Sequence, residues 1–195
     1  MKLIIASWNK TKIKEIQEFF KQIPIEIASL SADMDDINET AASFEGNAQL
    51  KIEAVKKYYP NDILLGEDSG LTIDALGGFP GVKTARFFPG SDTDRARQLI
   101  ERLAGVPLSN RTAHFNSAIA LRFPNGEVIN CQGFMHGWIT DMIHSNIQGY
   151  GDIFLLSNQI TLSKQEQSIL PFDHRRQALF QAKQHILEWI GGNQS

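Results

Sequence analysis

The first twenty residues combine a short apolar run with an amphipathic segment. Residues 1–7 read Met-Lys-Leu-Ile-Ile-Ala-Ser, which is typical of a short strand. The apolar residues that follow recur at helical spacing: they are Ile13, Ile16, Phe19 and Phe20. The order strand, loop and helix therefore predicts a helix whose apolar face packs on a sheet.

Three lysines lie at the start of this predicted helix. Lys10, Lys12 and Lys14 occupy the end where the helix dipole favours anions, so they gain most if an anion such as phosphate binds there. Solvated lysines on a surface helix are the commoner arrangement, and no glycine-rich Walker pattern accompanies these three. The lysines alone therefore do not identify a phosphate site.

A second helix is predicted after Ser43, a plausible N-cap residue. An apolar stripe is expected on one face of this helix, formed by Leu50, Ala54, Val55 and Tyr58. Asn47 and Lys51 are four residues apart and fall on another face. We expect Lys51 to reach into a cleft from a helix that the core braces.

Two acids follow the apolar run Ile63-Leu64-Leu65, which predicts a short buried strand. Glu67 and Asp68 are then expected at the carboxyl end of that strand, where α/β sheets bind ligands. Adjacent side chains of an extended chain point in opposite directions, so one acid should face the ligand while the other supports it. Such carboxylates suit Mg²⁺, although a plain polar turn has the same pattern.

The rest of the chain gives a coarse prediction. A helix is expected from Ser91 through Leu103, with Gly105 past its end. Residues 111–123 and 127–140 flank a Pro-Asn-Gly turn and should form a long hairpin. A final helix is expected over 175–190, with Asp173 as a plausible N-cap.

Composition bounds the class of protein. The 195 residues fit one domain, 1–195, with 42% hydrophobic and 21% charged residues. The net charge of −3 argues against a nucleic-acid polymer as partner. No apolar run approaches the ~20 residues of a membrane span, and the N-terminus lacks a signal-peptide pattern, so a cytoplasmic location is expected. The single cysteine, Cys131, is expected to be a core thiol.

Several segments, in this order and spacing, resemble the inosine triphosphate pyrophosphatase family. The resemblance rests on residues 6–12 with Glu15, on Glu39-Thr40, on Asn47-Ala48 with Lys51, on 67–70 leading into 76–81, on 85–87, and on 173–175. Members of that family hydrolyse non-canonical purine nucleoside triphosphates, namely ITP, dITP and XTP, to the monophosphate and pyrophosphate. The likeness covers nearly the whole chain.

The resemblance implies an α/β fold with a long mixed β-sheet flanked by helices. It also implies two lobes with a central nucleotide cleft, and a homodimer. The expected substrate is a free nucleoside triphosphate, and the expected cofactor is Mg²⁺.

Roles on the phosphate side follow residue by residue from the resemblance. Asp68 matches the catalytic acid, which holds or activates the attacking water. The positions that match substrate binding on this side are Ser7, Asn9, Lys12, Lys51 and Ser69. The positions that match metal binding are Glu39, Asp68 and, as a supporting or metal-facing carboxylate, Glu67.

On the base side the resemblance is looser. His174 and Arg175 match positions that recognise the purine 6-oxygen, and Tyr150 and Asp152 match an aromatic residue and an aspartate of the base loop. That loop, 149–154, is two residues shorter than the family pattern and lacks its second aromatic residue and its proline. Ile169 stands where a lysine is expected.

Three interpretations stay open at this point. The chain retains the hydrolysis of inosine and xanthosine triphosphates, or it is redirected to a modified pyrimidine triphosphate, or it is a nucleotide-binding sensor without turnover. The intact set of Glu39, Lys51 and Asp68 favours an enzyme, because catalysis depends on these charged groups and selectivity on a few base contacts.

Overall fold

The strands and helices alternate along the first half of the chain, as expected for an α/β protein. The computed structural model describes residues 1–31, 34, 37–145, 149–157, 159–165 and 173–192. Within these ranges the elements are β1 (Lys2–Ile5), α1 (Lys10–Phe20), β2 (Glu26–Ser29), α2 (Phe44–Val55), β3 (Ile63–Ile73), α3 (Asp92–Arg102), β4 (Thr112–Arg122), β5 (Val128–Ile139), β6 (Phe154–Leu155) and α4 (His174–Gly192).

The strands of the described residues form one mixed sheet in the order β2-β1-β3-β4-β5-β6. β1 pairs in parallel with β2 and with β3, and Leu3 lies opposite both Ile27 and Ile63. β6 pairs antiparallel with β5, where Trp138 lies opposite Leu155. The mixed sheet and its helices confirm the predicted α/β class.

The chain divides into two compact units. Over the described residues, the first unit comprises Met1–Ser69, Ser117–Gly133 and His174–Ser195, and the second comprises Gly70–Asn116 and Phe134–Asp173. Strands β3, β4 and β5 each contribute residues to both units. The single-domain assignment of 1–195 stays a prediction.

Each unit has its own hydrophobic core. In the first unit, Ile16 and Phe20 of α1 are fully buried together with the apolar face of α4, as their helical spacing predicted. A second cluster in this unit joins Ala48, Ile52 and Val55 of α2 to β1 and β3. In the second unit, Ala96 and Leu99 of α3 are buried together with Leu103, the C-cap of that helix. The helices are therefore fixed on the sheet by burial of apolar area.

The prediction for β3 is wrong in its extent. The strand does not end before Glu67 but runs to Ile73, so both acids lie inside it. Nearly every residue from Ile63 to Ile73 is buried. Buried acids are tolerated there because their charges have partners within the first unit, as described below.

The predicted apolar stripe of α2 is wrong at two of its four positions, Ala54 and Tyr58. Tyr58 is 57% exposed and Ala54 is exposed, whereas Asn47 and Lys51 are buried beside Ile52 and Val55. The polar pair therefore faces inward with the core residues of the helix. Apolar spacing misassigned this face because the hydrogen-bond partners that make the burial of Asn47 and Lys51 possible are distant in sequence.

Gly66 determines how closely α2 lies against β3. A Cβ atom at this position would overlap the carbonyl oxygen of Ala48 and crowd Cβ of Lys51. We therefore expect Gly66→Ala to push α2 away from the strand and to lower the free energy of unfolding by about 1–3 kcal/mol. Urea unfolding followed by circular dichroism measures this. Gly191→Ala is the control, because a Cβ there meets nothing within 4 Å, and an equal loss in the two variants would contradict the close packing at Gly66.

Several local predictions are confirmed. Ser91 caps α3 in a capping box with Asp94, and the β4–β5 hairpin turns through residues 124–126, where Phe123 N–H donates to the Glu127 carbonyl at 2.9 Å. Cys131 is buried, and burial raises the pKa of its thiol to about 11. Among the described helices, none is both long and apolar enough to cross a membrane.

Candidate active site

The loop between β1 and α1 is held by its own side chains. Ser7 Oγ accepts a hydrogen bond from the Asn9 N–H at 3.2 Å. Asn9 is the N-cap of α1, and its Oδ1 accepts from the N–H groups of Thr11 at 3.0 Å and Lys12 at 3.2 Å. Capping thus fixes where α1 begins, and it places Lys12 in the first turn of the helix.

Glu67 is the centre of a buried ionic network in the first unit. Its carboxylate is only 1% exposed, with Oε2 at 2.8 Å from Lys12 Nζ. Oε1 accepts a hydrogen bond from Ser117 Oγ at 2.8 Å and one from Arg175 Nε at 3.2 Å. Burial alone would raise the pKa of this carboxyl, but the Lys12 and Arg175 cations outweigh it and hold the pKa well below its usual range.

Arg175 joins three elements of the first unit at this point. Besides Glu67, its guanidinium pairs with Glu15 of α1 and donates from Nη2 to Ser69 Oγ at 3.2 Å. Burial would lower the pKa of Arg175, but Glu67 and Glu15 raise it further above its already high value. The guanidinium is therefore a permanent charge whose position is set by two carboxylates.

The start of α4 lies directly against β5. A Cβ atom at Gly133 would overlap the carbonyl oxygen of His174, so only glycine permits this approach. The helix begins at His174, one residue before the predicted start at 175, and His174 is half-buried. The base-recognition role expected for His174 and Arg175 stays a prediction.

A second charged cluster surrounds Lys51. Its ammonium lies 2.7 Å from Glu39 Oε1 and 3.8 Å from Asp68 Oδ1, and it donates to the Glu67 backbone carbonyl at 2.7 Å. The Lys51 side chain is only 8% exposed. The structure thus brings together three residues that lie at positions 39, 51 and 68 of the chain.

The Asp68 side chain faces the cluster around Lys51, whereas the Glu67 side chain faces the ionic network with Lys12 and Arg175. Asp68 Oδ2 accepts a hydrogen bond from Asn47 Nδ2 at 2.9 Å, and Oδ1 accepts from the Ser69 N–H at 3.0 Å. Burial raises the pKa of Asp68, and Lys51 offsets part of that rise. The two neighbouring acids have the opposite orientations expected of an extended chain, and burial has made Asp68 the more basic carboxylate.

The donors around Lys51 fit a hard divalent cation. Glu39 and Asp68 present carboxylate oxygens on either side of one positive charge, and Mg²⁺ is usually bound by one or two carboxylates plus water and substrate phosphates. Among the described residues, no three acidic, histidine or cysteine side chains form a metal cage by themselves. The Glu67 carboxylate is directed at Lys12, Ser117 and Arg175, and the metal role expected for it stays a prediction.

Tyr150 and Asp152 belong to the second unit. The Tyr150 hydroxyl donates to the Thr84 backbone carbonyl at 2.5 Å, and burial raises the pKa of this phenol. Asp152 is fully buried and accepts a hydrogen bond from Ser145 Oγ. These bonds fix the short 149–154 segment within its own unit. Ile169 lies outside the described residues.

Sequence reasoning missed one residue of the site and gave another no role. Ser117 is fully buried on β4 and donates to Glu67, fifty positions away along the chain. Nothing in a serine within a strand pattern signals such a contact. Asn47 was placed in the family motif and on a polar face of α2, but its hydrogen bond to Asp68 follows only from the fold.

An acid raised in pKa beside two carboxylates and two lysines, on an α/β fold, is the kind of site that hydrolases of phosphate anhydrides use. Residues 3–185 match the model of the Ham1 family. The chain belongs to that family.

Curated relatives agree with this membership along the full chain. A protein from Halalkalibacterium halodurans named "Non-canonical purine NTP pyrophosphatase homolog" is 45% identical over 189 residues, which cover 97% of each chain. The dITP/XTP pyrophosphatase of Leuconostoc mesenteroides is 37% identical over 203 residues, covering 98% of this chain and all of the relative.

Solved structures of the family have the same fold. A HAM1 protein from Coxiella burnetii superimposes with a TM-score of 0.86 at 31% identity, covering 96% of this chain and 99% of the other. The Staphylococcus aureus Ham1 protein gives a TM-score of 0.83 at 30% identity, covering 96% and 98%.

Proposed function

We propose that this protein hydrolyses non-canonical purine nucleoside triphosphates, namely ITP, dITP and XTP, to the monophosphate and pyrophosphate. The observation that carries the proposal is the placement of Asp68, a carboxylate of raised pKa held by Asn47 next to Lys51 and Glu39. The names of the relatives from Halalkalibacterium halodurans and Leuconostoc mesenteroides support the same activity.

The chemistry needs charge neutralisation and a positioned water. In the proposed complex, Lys12 and Lys51 contact the triphosphate, with the hydroxyls of Ser7 and Ser69 and the amide of Asn9 as further hydrogen-bond donors. Glu39 and Asp68 would hold Mg²⁺, which would supply neutralisation of charge on the phosphate oxygens. Glu67 keeps Lys12 and Arg175 in position, in addition to the supporting or metal-facing role expected of it.

Asp68 orients the attacking water and takes its proton as the anhydride bond to pyrophosphate breaks. The raised pKa of Asp68 makes this carboxylate a better base than an exposed aspartate, because proton transfer is most efficient when the pKa of the base approaches the working pH. The oxygen of the water ends on one of the two phosphorus atoms that the broken α–β anhydride bond had joined. The pyrophosphate departs as an anion that Lys12 and Lys51 stabilise.

Selectivity is proposed to arise from donors aimed at the purine 6-position. In the first unit, His174 and Arg175 supply N–H groups near the start of α4, and the substrate-binding roles expected for Tyr150 and Asp152 stay predictions. Hypoxanthine and xanthine carry an accepting oxygen at this position, whereas adenine carries an amino donor. Adenine would leave the donors of the site unpaired, which disfavours ATP.

The direct test is pyrophosphate release with Mg²⁺ across ITP, dITP, XTP, the four standard dNTPs and modified pyrimidine triphosphates. We expect ITP, dITP and XTP to exceed dATP in kcat/KM by at least about 100-fold, the discrimination that unpaired donors produce; dGTP, which also carries a 6-oxygen, is not excluded by this contact. Faster turnover of a pyrimidine triphosphate would redirect the substrate assignment. Nucleotide binding without any metal-dependent pyrophosphate release would instead indicate a sensor.

We also propose that the protein acts as a homodimer in the cytoplasm, where nucleoside triphosphates are made and consumed. The buried free thiol of Cys131 suits a reducing compartment. Light scattering is expected to give twice the mass of one chain, and a monomer at micromolar concentration would remove the dimer from the proposal.

A further inference from the structure

Asn47 bridges two parts of the candidate site with one side chain. Its Nδ2 donates to Asp68 Oδ2 at 2.9 Å, and its Oδ1 accepts from the Ala41 backbone N–H at 3.0 Å. The residue is fully buried within the first unit. The oxygen and the nitrogen of the amide therefore each have a hydrogen-bond partner within the protein, and the two partners belong to different segments of the chain.

These two contacts fix the orientation of the amide. Turning it over would set its NH₂ group against the Ala41 N–H and its oxygen against a carboxylate oxygen, so two hydrogen bonds would become two repulsions. An aspartate in the same place keeps the acceptor but opposes Asp68 with a second carboxylate. Only an uncharged side chain with a donor and an acceptor spaced as they are in an asparagine amide reaches and satisfies both neighbours.

The Ala41 contact bears on the candidate cation site because Glu39 lies two residues before Ala41. The segment that carries Glu39 then enters α2 through Ser43, whose Oγ accepts from the Gly46 N–H at 3.1 Å. Asn47 therefore fastens the backbone of the Glu39 segment and the carboxylate of Asp68 to the same turn of α2. Lys51, one turn further along, contacts the two carboxylates themselves.

The two α2 residues differ in what happens when a triphosphate arrives. The Lys51 ammonium is drawn towards phosphate oxygens, and so its hold on Glu39 and Asp68 weakens. The neutral amide of Asn47 gains nothing from moving, because both of its partners belong to the protein. We infer that Asn47 is the positioning residue that keeps Glu39 and Asp68 in register for the cation; this rests on the proposed function of the same site.

The test compares Asn47→Leu and the milder Asn47→Ser with Ile52→Ala. Ile52 lies on the same helix and is 1% exposed, so its truncation destabilises α2 without touching the polar contacts. Mn²⁺ alone is the metal probe, with free Mn²⁺ followed by electron paramagnetic resonance. The thermal midpoint, kcat and nucleotide KM with ITP and Mg²⁺ are measured on the same proteins.

Both Asn47 variants are expected to weaken Mn²⁺ binding by about 10-fold or more and to lower kcat by about 10–100-fold, the usual effect of losing a residue that orients metal ligands. The nucleotide KM should change by less than about 3-fold, because the lysines that hold the phosphates remain. Ile52→Ala should lower the thermal midpoint and leave Mn²⁺ affinity unchanged.

An outcome in which the Asn47 variants lose thermal stability like Ile52→Ala and keep wild-type Mn²⁺ affinity would overturn the inference. If Asn47→Leu does not fold, Asn47→Ser decides the question. The proposed function fails separately: a wild-type protein that releases no pyrophosphate from any triphosphate refutes the hydrolase, whereas the Mn²⁺ comparison is made without nucleotide and still measures the role of Asn47.

Discussion

Replacing Asp68 by asparagine is expected to lower pyrophosphate release from ITP by at least about 10³-fold. The substitution removes the group that takes the proton of the water, a contribution of about 10²–10⁴ in general base catalysis. It also removes one of the two carboxylates proposed for Mg²⁺, so the effect should lie in the upper part of that range. The measurement is kcat with saturating Mg²⁺ and ITP.

The fold should survive this change. The asparagine oxygen accepts one of the two hydrogen bonds that Asn47 Nδ2 and the Ser69 N–H donate to the separate carboxylate oxygens of Asp68, and the amide NH₂ group faces the other donor. Burial raises the pKa of Asp68 because it disfavours the charged carboxylate. Replacing that carboxylate by a neutral amide therefore removes little electrostatic stabilisation of the fold. We therefore expect the free energy of unfolding to fall by no more than about 1–3 kcal/mol, the cost of one buried donor left without an acceptor.

Asp62→Asn is the matched control, because it makes the same change of charge at a carboxylate outside the candidate site, where Oδ1 accepts a hydrogen bond from the Lys2 backbone N–H at 2.7 Å. It should leave kcat unchanged. A wild-type rate in Asp68→Asn would remove Asp68 from the reaction and move attention to Glu39 or Glu67.

Local signals account for the elements that were predictable from sequence. α1, α3 and α4 have apolar residues at helical spacing, Ser91 and Asp94 form a capping box, and the β4–β5 hairpin has a Pro-Asn-Gly turn. Each of these signals is contained within a dozen residues. The physical forces that decide them act over the same short distance.

The errors concern residues whose environment is set by distant parts of the chain. β3 continues through Glu67 because Lys12, Ser117 and Arg175 compensate its charge, and these lie 55, 50 and 108 positions away. The inward face of α2 is polar because Asn47 meets Asp68, 21 positions later. The hydrophobicity pattern of a sequence shows which residues are apolar. It does not show which polar residues will find a hydrogen-bond or charge partner in the fold.

In the candidate site, too, the residue types were predictable from local sequence, whereas the contacts between distant residues were not. The lysines and acids proposed to contact phosphate and metal have side chains with formal charges, so their types and spacing were informative before the fold was known. The partners of each charged residue could not be read from the sequence. Glu67 and Asp68 are neighbours in sequence, yet Glu67 pairs with the cations of Lys12 and Arg175 while Asp68 faces Lys51 and Asn47.

Replacing Glu67 by glutamine is expected to lower the free energy of unfolding by about 3–5 kcal/mol, the cost of removing one partner of a buried ion pair. The Lys12 and Arg175 side chains are 17% and 19% exposed, so water screens them little once the carboxylate is gone. The same change should reduce turnover, because Lys12 and Arg175 then lose the group that positions them. Urea unfolding at pH 7 gives the stability, and pyrophosphate release gives the activity.

Glu26→Gln provides the matched control. The Lys2–Glu26 pair has the same 2.8 Å separation as Lys12–Glu67, but its side chains are 46% and 63% exposed. Water screens an exposed pair strongly, so this variant should be nearly as stable as the wild type. Equal losses in the two variants would mean that burial of Glu67 is not what makes its pairs important.

The stability effect of Glu67 should depend on pH with a definite sign. Its pKa in the folded protein lies below the ordinary value of 4.5, so the folded state holds the proton less tightly than the unfolded state does. The stabilisation is therefore complete above about pH 4.5 and is lost progressively as the pH falls towards the folded-state pKa. The difference in unfolding free energy between the wild type and Glu67→Gln should be constant from pH 7 to 6 and shrink between pH 4.5 and 3. A difference that stays constant down to pH 3 would show that shape, rather than the charge of Glu67, stabilises this part of the protein.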